Sequence, residues 1–303
     1  MGDPTLGIDV GGTKIASGLV DAAGGLVEFR REALAGPGER AVTQVVAIAR
    51  TYLRHHRAAT VGVALPGGID PATRAVVAAP NLGWTHLALV ERLRAELGRE
   101  VVVENDGNAA AWAEHRFGAG AGSASTVLVA VGTGIGGGLV LDRRLHVGDR
   151  GFGGELGHLL LVPGGRQCVC GASGCWEQYA SGSALVAEAS DRGWRRDPFN
   201  GEDVLAAAGD GDPVALDVVE KLCGHLAHGL TVLGACFDIA GIVLGGGLGT
   251  DPRCVAGVQR ALDRVAPSTS RMPVKVAAAW LGAAAGVIGA ADLARLGAGP
   301  FRK

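Results

Sequence analysis

The chain has 303 residues, of which 48% are hydrophobic, with 28 Lys and Arg against 30 Asp and Glu. That length can hold two domains and a sizeable core. The near-balanced charge removes any electrostatic case for nucleic acid or an anionic membrane as a partner.

The opening stretch "MGDPTLGIDVGG" has no basic region followed by an apolar core, so no signal peptide is expected and the cytoplasm is the expected compartment. "TLGIDVG" (5–11) and "ASGLVD" (16–21) read as strands, followed by a helix over 39–57. Next come a strand "TVGVAL" (60–65), a helix over 86–97, a strand "VVVEN" (101–105) and a helix over 107–117. "TVLVAVG" (126–132) and "GGLVLD" (137–142) read as strands, with helices expected over 183–192 and 213–233. A strand "AGIVLGGG" (240–247) and helices over 255–265 and 281–295 complete the pattern. The uncharged run 276–291 is dominated by Ala and Gly and is short for a membrane span, so it reads as packed helix. This alternation of strands and helices argues for an α/β fold with largely parallel sheets.

Three of the strands end in glycine clusters: "DVGGTK" (9–14), "GTGIGGG" (132–138) and "LGGGLG" (244–249). One such cluster reads as a tight turn. Three after apolar strands suggest backbone N–H groups that cradle phosphates. The Walker pattern is absent, and a dinucleotide fingerprint would open a helix, whereas the first two clusters run into further strands. They therefore read as strand–turn–strand hairpins. "GLVD" ending at Asp21 and "GLVLD" ending at Asp142 form a faint internal repeat. It suggests two similar domains facing one cleft, with a nucleotide between them.

The stretch "ELGHLLLVPGGRQCVCGASGCWEQ" (155–178) holds three of the six cysteines within eight positions. His158, Cys168, Cys170 and Cys175 offer one nitrogen and three sulfurs, a complete tetrahedral set for zinc. The other reading is a reduced, buried cysteine cluster, as cytosolic cysteines stay reduced. Four protein ligands leave no open coordination position, so the metal is expected to be structural. Gly171 and Gly174 are expected to let the loop fold back, and Cys223, Cys236 and Cys254 read as packing residues. Glu155 lies three residues before His158 and Glu177 two after Cys175, so both carboxylates are expected near one rigid centre. Alternatively, Glu155 is a helix-start acid and Glu177 a surface charge. In "VVVENDGNAAAWAEH" (101–115), a strand ends where a helix begins. Asn105 and Asp106 there read either as helix caps or as site residues at the C-terminal end of a strand.

The paired glycine hairpins resemble the actin-like ATPase fold of sugar kinases. The segment from Leu128 to Glu177, with "GTGIGGG", "ELGH" and "CVCGASGCWEQ", resembles the ROK family (repressors, open reading frames and kinases). "VVENDGNAAAWAEHRFG" and "GCWEQYASG" are most similar to its actinobacterial-type glucokinases. The resemblance runs from Asp9 to about Leu293. It implies ATP-dependent phosphorylation of D-glucose at the 6-hydroxyl, with Asp106 as catalytic base. Gly67, Asn105, Asp106, Glu155, His158 and Glu177 are then expected at the sugar. Asp9, Gly11, Gly12, Thr13, Lys14, Thr133, Gly134, Gly246 and Gly247 are expected at ATP, with Asp9 orienting hydrated Mg²⁺. Zn²⁺ is expected in the cysteine loop, and a homodimer or homotetramer as the assembly. The family more often has Ala at the position of Gly107, and Gly-x-Pro-Gly where this chain has Ala64-Leu65-Pro66-Gly67.

Domains are expected at 1–115, with a C-terminal helix about 290–303 packing back on it, and at 116–290 with the zinc loop 158–175. The alternatives are a kinase of the same family for N-acetylmannosamine, N-acetylglucosamine or fructose, and a polyphosphate donor in place of ATP. A sugar-responsive repressor or a sensor without catalysis is disfavoured. The first hairpin begins at Asp9 and leaves no room for a helix-turn-helix ahead of it, and Asp106 is intact.

Overall fold

The computed structural model of the chain describes residues 3–56, 60–194, 199–239, 241–265 and 274–297. Its strands are β1 (Thr5–Val10), β2 (Lys14–Val20), β3 (Leu26–Ala33), β4 (Thr60–Leu65), β5 (Gly68–Ile69), β6 (Val76–Ala79), β7 (Trp84–Leu87) and β8 (Glu100–Asn105). They continue with β9 (Thr126–Val131), β10 (Ile135–Leu141), β11 (Arg144–Leu145), β12 (Gly241–Gly245) and β13 (Lys275–Ala278). β1, β4, β9 and β12 are almost wholly buried, which is why they are largely apolar runs, with Asp9 the one charged residue, rather than alternating ones.

One sheet has the order β3-β2-β1-β4-β8, and a second has the order β11-β10-β9-β12-β13. Numbered within its own set, each runs third, second, first, fourth, fifth. In the first, β1 is antiparallel to β2 and parallel to β4, and β4 is parallel to β8. In the second, β12 is parallel to both β9 and β13. This shared plan is the duplication hinted at by "GLVD" and "GLVLD". A small sheet, β5-β6-β7, is hydrogen-bonded into neither.

The chain forms two compact units, Met1–Ser125 with Gly138–Gly154 and Leu281–Lys303, and Thr126–Gly137 with Glu155–Trp280. The sequence reading drew its lines elsewhere, at 1–115 and 116–290. Gly138–Gly154 joins the first unit because Val140, Leu145 and Val147 share a core with Ala109, Trp112 and Leu293. Of the C-terminal helix expected at about 290–303, residues 298–303 lie outside those described. So do residue 57, the expected end of the first helix, and residue 240, the expected start of β12.

Within the first unit, the helix Ala285–Leu296 packs on β1, β4 and the helix Asp106–Phe117. Small residues allow this. A Cβ at Gly62 of β4 would collide with the carbonyl oxygen of Ala290, and one at Gly289 with the carbonyl oxygen of Ala109. The buried Asp292 carboxylate ties the two helices together, accepting from Trp112 Nε1 at 2.8 Å and Arg116 Nε at 3.2 Å.

The structure corrects several sequence expectations. The uncharged run 276–291 is not one helix: it starts in β13, whose Val276 pairs with Ile242, and turns helical only after a 3-10 turn at Gly282–Ala284. Sheet pairing overrides the helix preference of its alanines there. The expected 213–233 helix runs on to Phe237 and stops at Asp238, a left-handed residue. β3 and the helix Gly201–Gly209 were not expected. Cys223 and Cys254 are buried as expected, but Cys236 is exposed near the end of its helix and is not a packing residue. Among the described residues, no helix is long and apolar enough to cross a membrane.

Two glycine substitutions test this packing. Gly289→Ala should lower the Tm by roughly 5 °C or more, because the atom it strikes is backbone and cannot rotate away. Gly224→Ala, on the helix Pro213–Phe237 with nothing within 4 Å, should hold or raise the Tm, as Ala loses less entropy. Thermal unfolding of both variants checks the pair.

Candidate functional site

In the first unit, β1 and β8 flank β4, and the expected acids lie at their C-terminal ends, Asp9 next to last in β1 and Asp106 directly after β8. Asp9 occupies a cross-strand row with Ala16 and Arg31. Burial pushes its carboxyl up to about 7, the negative charge of Asp106 adds to the rise, and Arg31 opposes it. The turn beyond it is closed by Gly11 N–H donating to Lys14 O at 2.9 Å. Gly12, Thr13 and Lys14 are exposed at its tip, as a phosphate-facing loop requires.

Asn105 ends β8 and caps the helix Asp106–Phe117, its Oδ1 accepting from Asn108 N–H at 3.0 Å. Its Nδ2 donates to Gly67 O at 3.1 Å. The capping reading is therefore correct, and it does not exclude a site role. Each end of the amide keeps one further hydrogen-bonding position, now fixed in direction. Gly67 has φ +152°, and a Cβ there would collide with Ala78 O, so the close approach holding Asn105 needs glycine.

Asp106 is the first residue of the helix, and its Oδ1 accepts from Gly107 N–H at 2.8 Å. Burial raises its pKa above the ordinary aspartate value, against that hydrogen bond and one from its own N–H. A helix start favours the ionised carboxylate, and desolvation offsets that effect here.

Behind this corner lies Glu104, 2% exposed, which the sequence reading passed over. Its Oε1 accepts from Asn105 N–H at 2.9 Å and Asn108 Nδ2 at 3.0 Å, and its Oε2 is 3.4 Å from Arg74 NH2. A glutamate in the last turn of an apolar strand was the available signal.

In the second unit, the loop after the 3-10 turn Leu156–His158 folds back on itself. Leu160 bridges to Cys175 and Gln167 to Ser173, with Gly171 and Gly174 at φ +94° and +99°. The donor atoms of His158, Cys168, Cys170 and Cys175 all lie within 4.8 Å of one another. Cys168 Sγ is 3.7 Å from His158 Nδ1, and Cys170 Sγ is 3.5 Å from Cys175 Sγ. Bonds of about 2.0–2.1 Å to nitrogen and about 2.3 Å to sulfur from a tetrahedral zinc give ligand separations of about 3.5–3.8 Å, close to these two distances, so the donor set suits that ion. Burial, with the neighbouring thiols, pushes Cys175 up to about 12, while Cys170 is lowered, chiefly by the Ala172 N–H. A cation at the centre would stabilise all three thiolates.

Glu155 precedes the 3-10 turn, and its carbonyl accepts from His158 N–H at 3.1 Å. Glu177 opens the short helix Glu177–Ala180. Its Oε1 lies 3.5 Å from Cys168 Sγ, and its Oε2 accepts from Ile135 N–H at 3.3 Å. It is no surface charge: it links the cysteine loop to the 132–138 glycine turn. The loop is further anchored by Trp176, which is fully buried and donates from Nε1 to His225 O at 2.8 Å. Arg166 adds bonds to Gln178 O and to Glu188, whose carboxyl is held at about 2 by Lys221, Arg166 and Arg192.

A cavity of about 640 Å³ in the same unit is lined by Gly132, Thr133, Ser183, Phe199, Glu202 and Gly247, among others. Its size suits a nucleoside. Thr133 and Gly247 were expected at the nucleotide; Ser183, Phe199 and Glu202 were not. Gly134 lies beside Glu177 and Gly246 against the Val131 backbone, and neither lines this cavity.

Residues 5–296 match the ROK family model. The chain is 37% identical over 308 aligned positions to a glucokinase of Streptomyces coelicolor, covering 96% of this chain and 97% of that protein. It is 34% identical over 277 positions to an N-acetylmannosamine kinase of Yersinia pseudotuberculosis, covering 90% and 92%. A ROK family glucokinase from Streptomyces griseus, solved with glucose and AMPPNP, superposes with a TM-score of 0.86 at 38% identity, covering 97% of this chain and all of that one. The fold is the actin-like ATPase fold with two α/β domains. By model match, identity and coverage together, the chain belongs to the ROK family.

Proposed function

We propose that this chain is a glucokinase, transferring the γ-phosphoryl group of ATP to the 6-hydroxyl of D-glucose. The similarity to Streptomyces glucokinases carries the choice of sugar. The corner at Asn105 and Asp106 supports the chemistry. In the reaction, the sugar O6 forms a bond to Pγ while the bond from Pγ to the β-phosphate oxygen breaks, releasing ADP. The hydroxyl proton passes to the Asp106 carboxylate. Burial moves that carboxylate toward neutrality and makes it a better acceptor than an exposed aspartate. Asn105 offers its remaining amide positions to a neighbouring hydroxyl, and Gly67 a backbone contact. Glu155, Glu177 and the His158 Nε2 left free of the thiols bind the sugar ring.

On the nucleotide side, residues 11–14 and Thr133 and Gly134 hold phosphates, while Gly246 and Gly247 support the nucleoside end. Mg²⁺ arriving with ATP would neutralise phosphate charge, and Asp9 is the carboxylate that would orient its water shell. Zn²⁺ in the four-ligand loop would supply structure and no open coordination position. The assembly is a homodimer or homotetramer, which light scattering would measure.

The function is tested by kinetics over a panel of sugars. With ATP, kcat/KM for glucose should exceed that for N-acetylmannosamine, N-acetylglucosamine and fructose by about tenfold or more. A preference for an N-acetylated sugar, or for polyphosphate over ATP, contradicts the proposal. Asp106→Asn should cut kcat by ~10²-fold or more and leave the glucose Kd within about tenfold. A variant keeping more than about a tenth of kcat removes Asp106 as the base.

Asp9 makes a pH prediction. Its folded pKa of about 7 lies above the ordinary 3.8, so the folded state holds a proton that the unfolded chain releases. The stability this gives is full below the unfolded value and is lost as pH rises toward 7. In protein free of nucleotide and Mg²⁺, Asp9→Asn should raise the Tm at pH 8 by about 2–6 °C, and the gain should vanish near pH 4. An equal gain at both pH values, or none at pH 8, contradicts the assignment.

A further inference from the structure

A second cavity, of about 1110 Å³, lies wholly within the first unit and is lined by neither Asn105 nor Asp106. Its wall includes Thr60 and Glu100, the first pair of the β4–β8 ladder, whose last pair is Leu65 and Asn105. At about 3.3 Å per residue, that first pair is about 17 Å from the Asn105 corner. Four arginines line it, Arg74, Arg94, Arg144 and Arg295, against Glu91 and Glu100. Arg94 pairs with Glu100 at 2.8 Å, and Arg295 with Asp292 behind the wall. Arg144 makes no ion pair among the described residues. Val101, Val102 and Val147 supply an apolar floor. Such a volume accommodates a ligand of metabolite size. Guanidinium groups above an aliphatic floor select an organic anion with a phosphate or carboxylate head and an apolar body.

Arg74 connects this cavity to the site. A tight turn presents it: Asp70 Oδ1 accepts from Ala72 N–H at 2.9 Å and Thr73 N–H at 2.7 Å, and Arg74 itself has φ +60°. Its guanidinium donates to Val103 O and to Glu104 Oε2, and Glu104 in turn holds the Asn105 N–H and the Asn108 side chain. The 3.4 Å contact to Glu104 is long for a charge-assisted bond and is the weak link of the chain.

We propose that this cavity is a regulatory site for an amphipathic organic anion, which draws Arg74 from Glu104 and so loosens Asn105 and weakens sugar binding. The binding claim stands by itself; the effect on sugar rests on the glucokinase reading.

Phenyl phosphate serves as the probe, titrated calorimetrically into the full-length, metal-loaded protein with a non-hydrolysable ATP analogue filling the nucleotide site. It should bind with a Kd below about 1 mM, and Arg144→Ala and Arg94→Ala should each weaken it about tenfold or more. Inorganic phosphate, lacking the apolar body, should bind about tenfold more weakly. Equal binding to wild type and both variants, no binding at millimolar probe, or equal binding of inorganic phosphate overturns the site. Saturating glucose should weaken the probe by the same factor, about fivefold or more, by which the probe weakens glucose. Without probe, Arg144→Ala should phosphorylate glucose with wild-type kcat and KM. Probe binding that is intact but indifferent to glucose overturns the Arg74 connection and leaves the glucokinase reading, tested by the sugar panel, untouched.

Discussion

The constraint on which the second unit's site depends is the gathering of one imidazole and three thiols within 4.8 Å. A cluster this dense has no apolar reason to exist: a thiol buried without a cation is held protonated, as Cys175 is. A tetrahedral cation would convert the crowding into bonds, and its binding energy would add to the folding energy of a loop already held by its own hydrogen bonds and by Trp176 and Arg166. The two carboxylates flanking the cluster inherit its rigidity. Glu177 takes it furthest, touching a ligand sulfur with one oxygen and the 132–138 turn with the other. One side chain thereby couples the cysteine loop to the 132–138 turn.

The first unit reaches the same end by a different route. No metal-ligand set is found there among the described residues. Its site is made rigid by backbone approach and buried polar bonding. Gly62 and Gly289 let the C-terminal helix seat on β4 and on the Asp106–Phe117 helix, and Asp292 fixes the two helices together. Asn105, Gly67 and Glu104 then fix the strand-to-helix corner that carries Asp106. Burial raises both Asp9 and Asp106, and the charge of Asp106 adds to the rise at Asp9. That is the expected condition of a site built to receive a phosphate–metal complex.

Much of this was legible in the sequence. The parallel core strands announced themselves as apolar runs because burial on both faces leaves no room for polar alternation. The gathering of His158, Cys168, Cys170 and Cys175, the glycine turns and the strand-to-helix step at Asn105–Asp106 were readable because chemistry and backbone geometry restrict which residues can serve. β3 was not readable: an edge strand carrying Glu28, Arg30, Arg31 and Glu32 has no buried face to pattern it. The helix Gly201–Gly209 could have been read from Asn200 and Asp203, which form a capping box, but its flanking glycines obscured it. β13 was hidden in an alanine-rich run whose strand state comes from its pairing with β12. Phe199 and Glu202 could not be found from local pattern, since their roles arise only once distant segments meet. The faint repeat understated the duplication, because strand order is conserved through pairing geometry and not through side-chain identity.

The central claim is that the metal holds the sugar-binding groups in place without entering the chemistry. Calorimetric titration of glucose into metal-depleted and zinc-restored protein tests it most directly. The account predicts that depletion weakens glucose binding by about tenfold or more, and that one equivalent of zinc restores it. Glucose affinity that is unchanged by removing the metal would contradict it, and with it the placement of the sugar beside Glu155, His158 and Glu177.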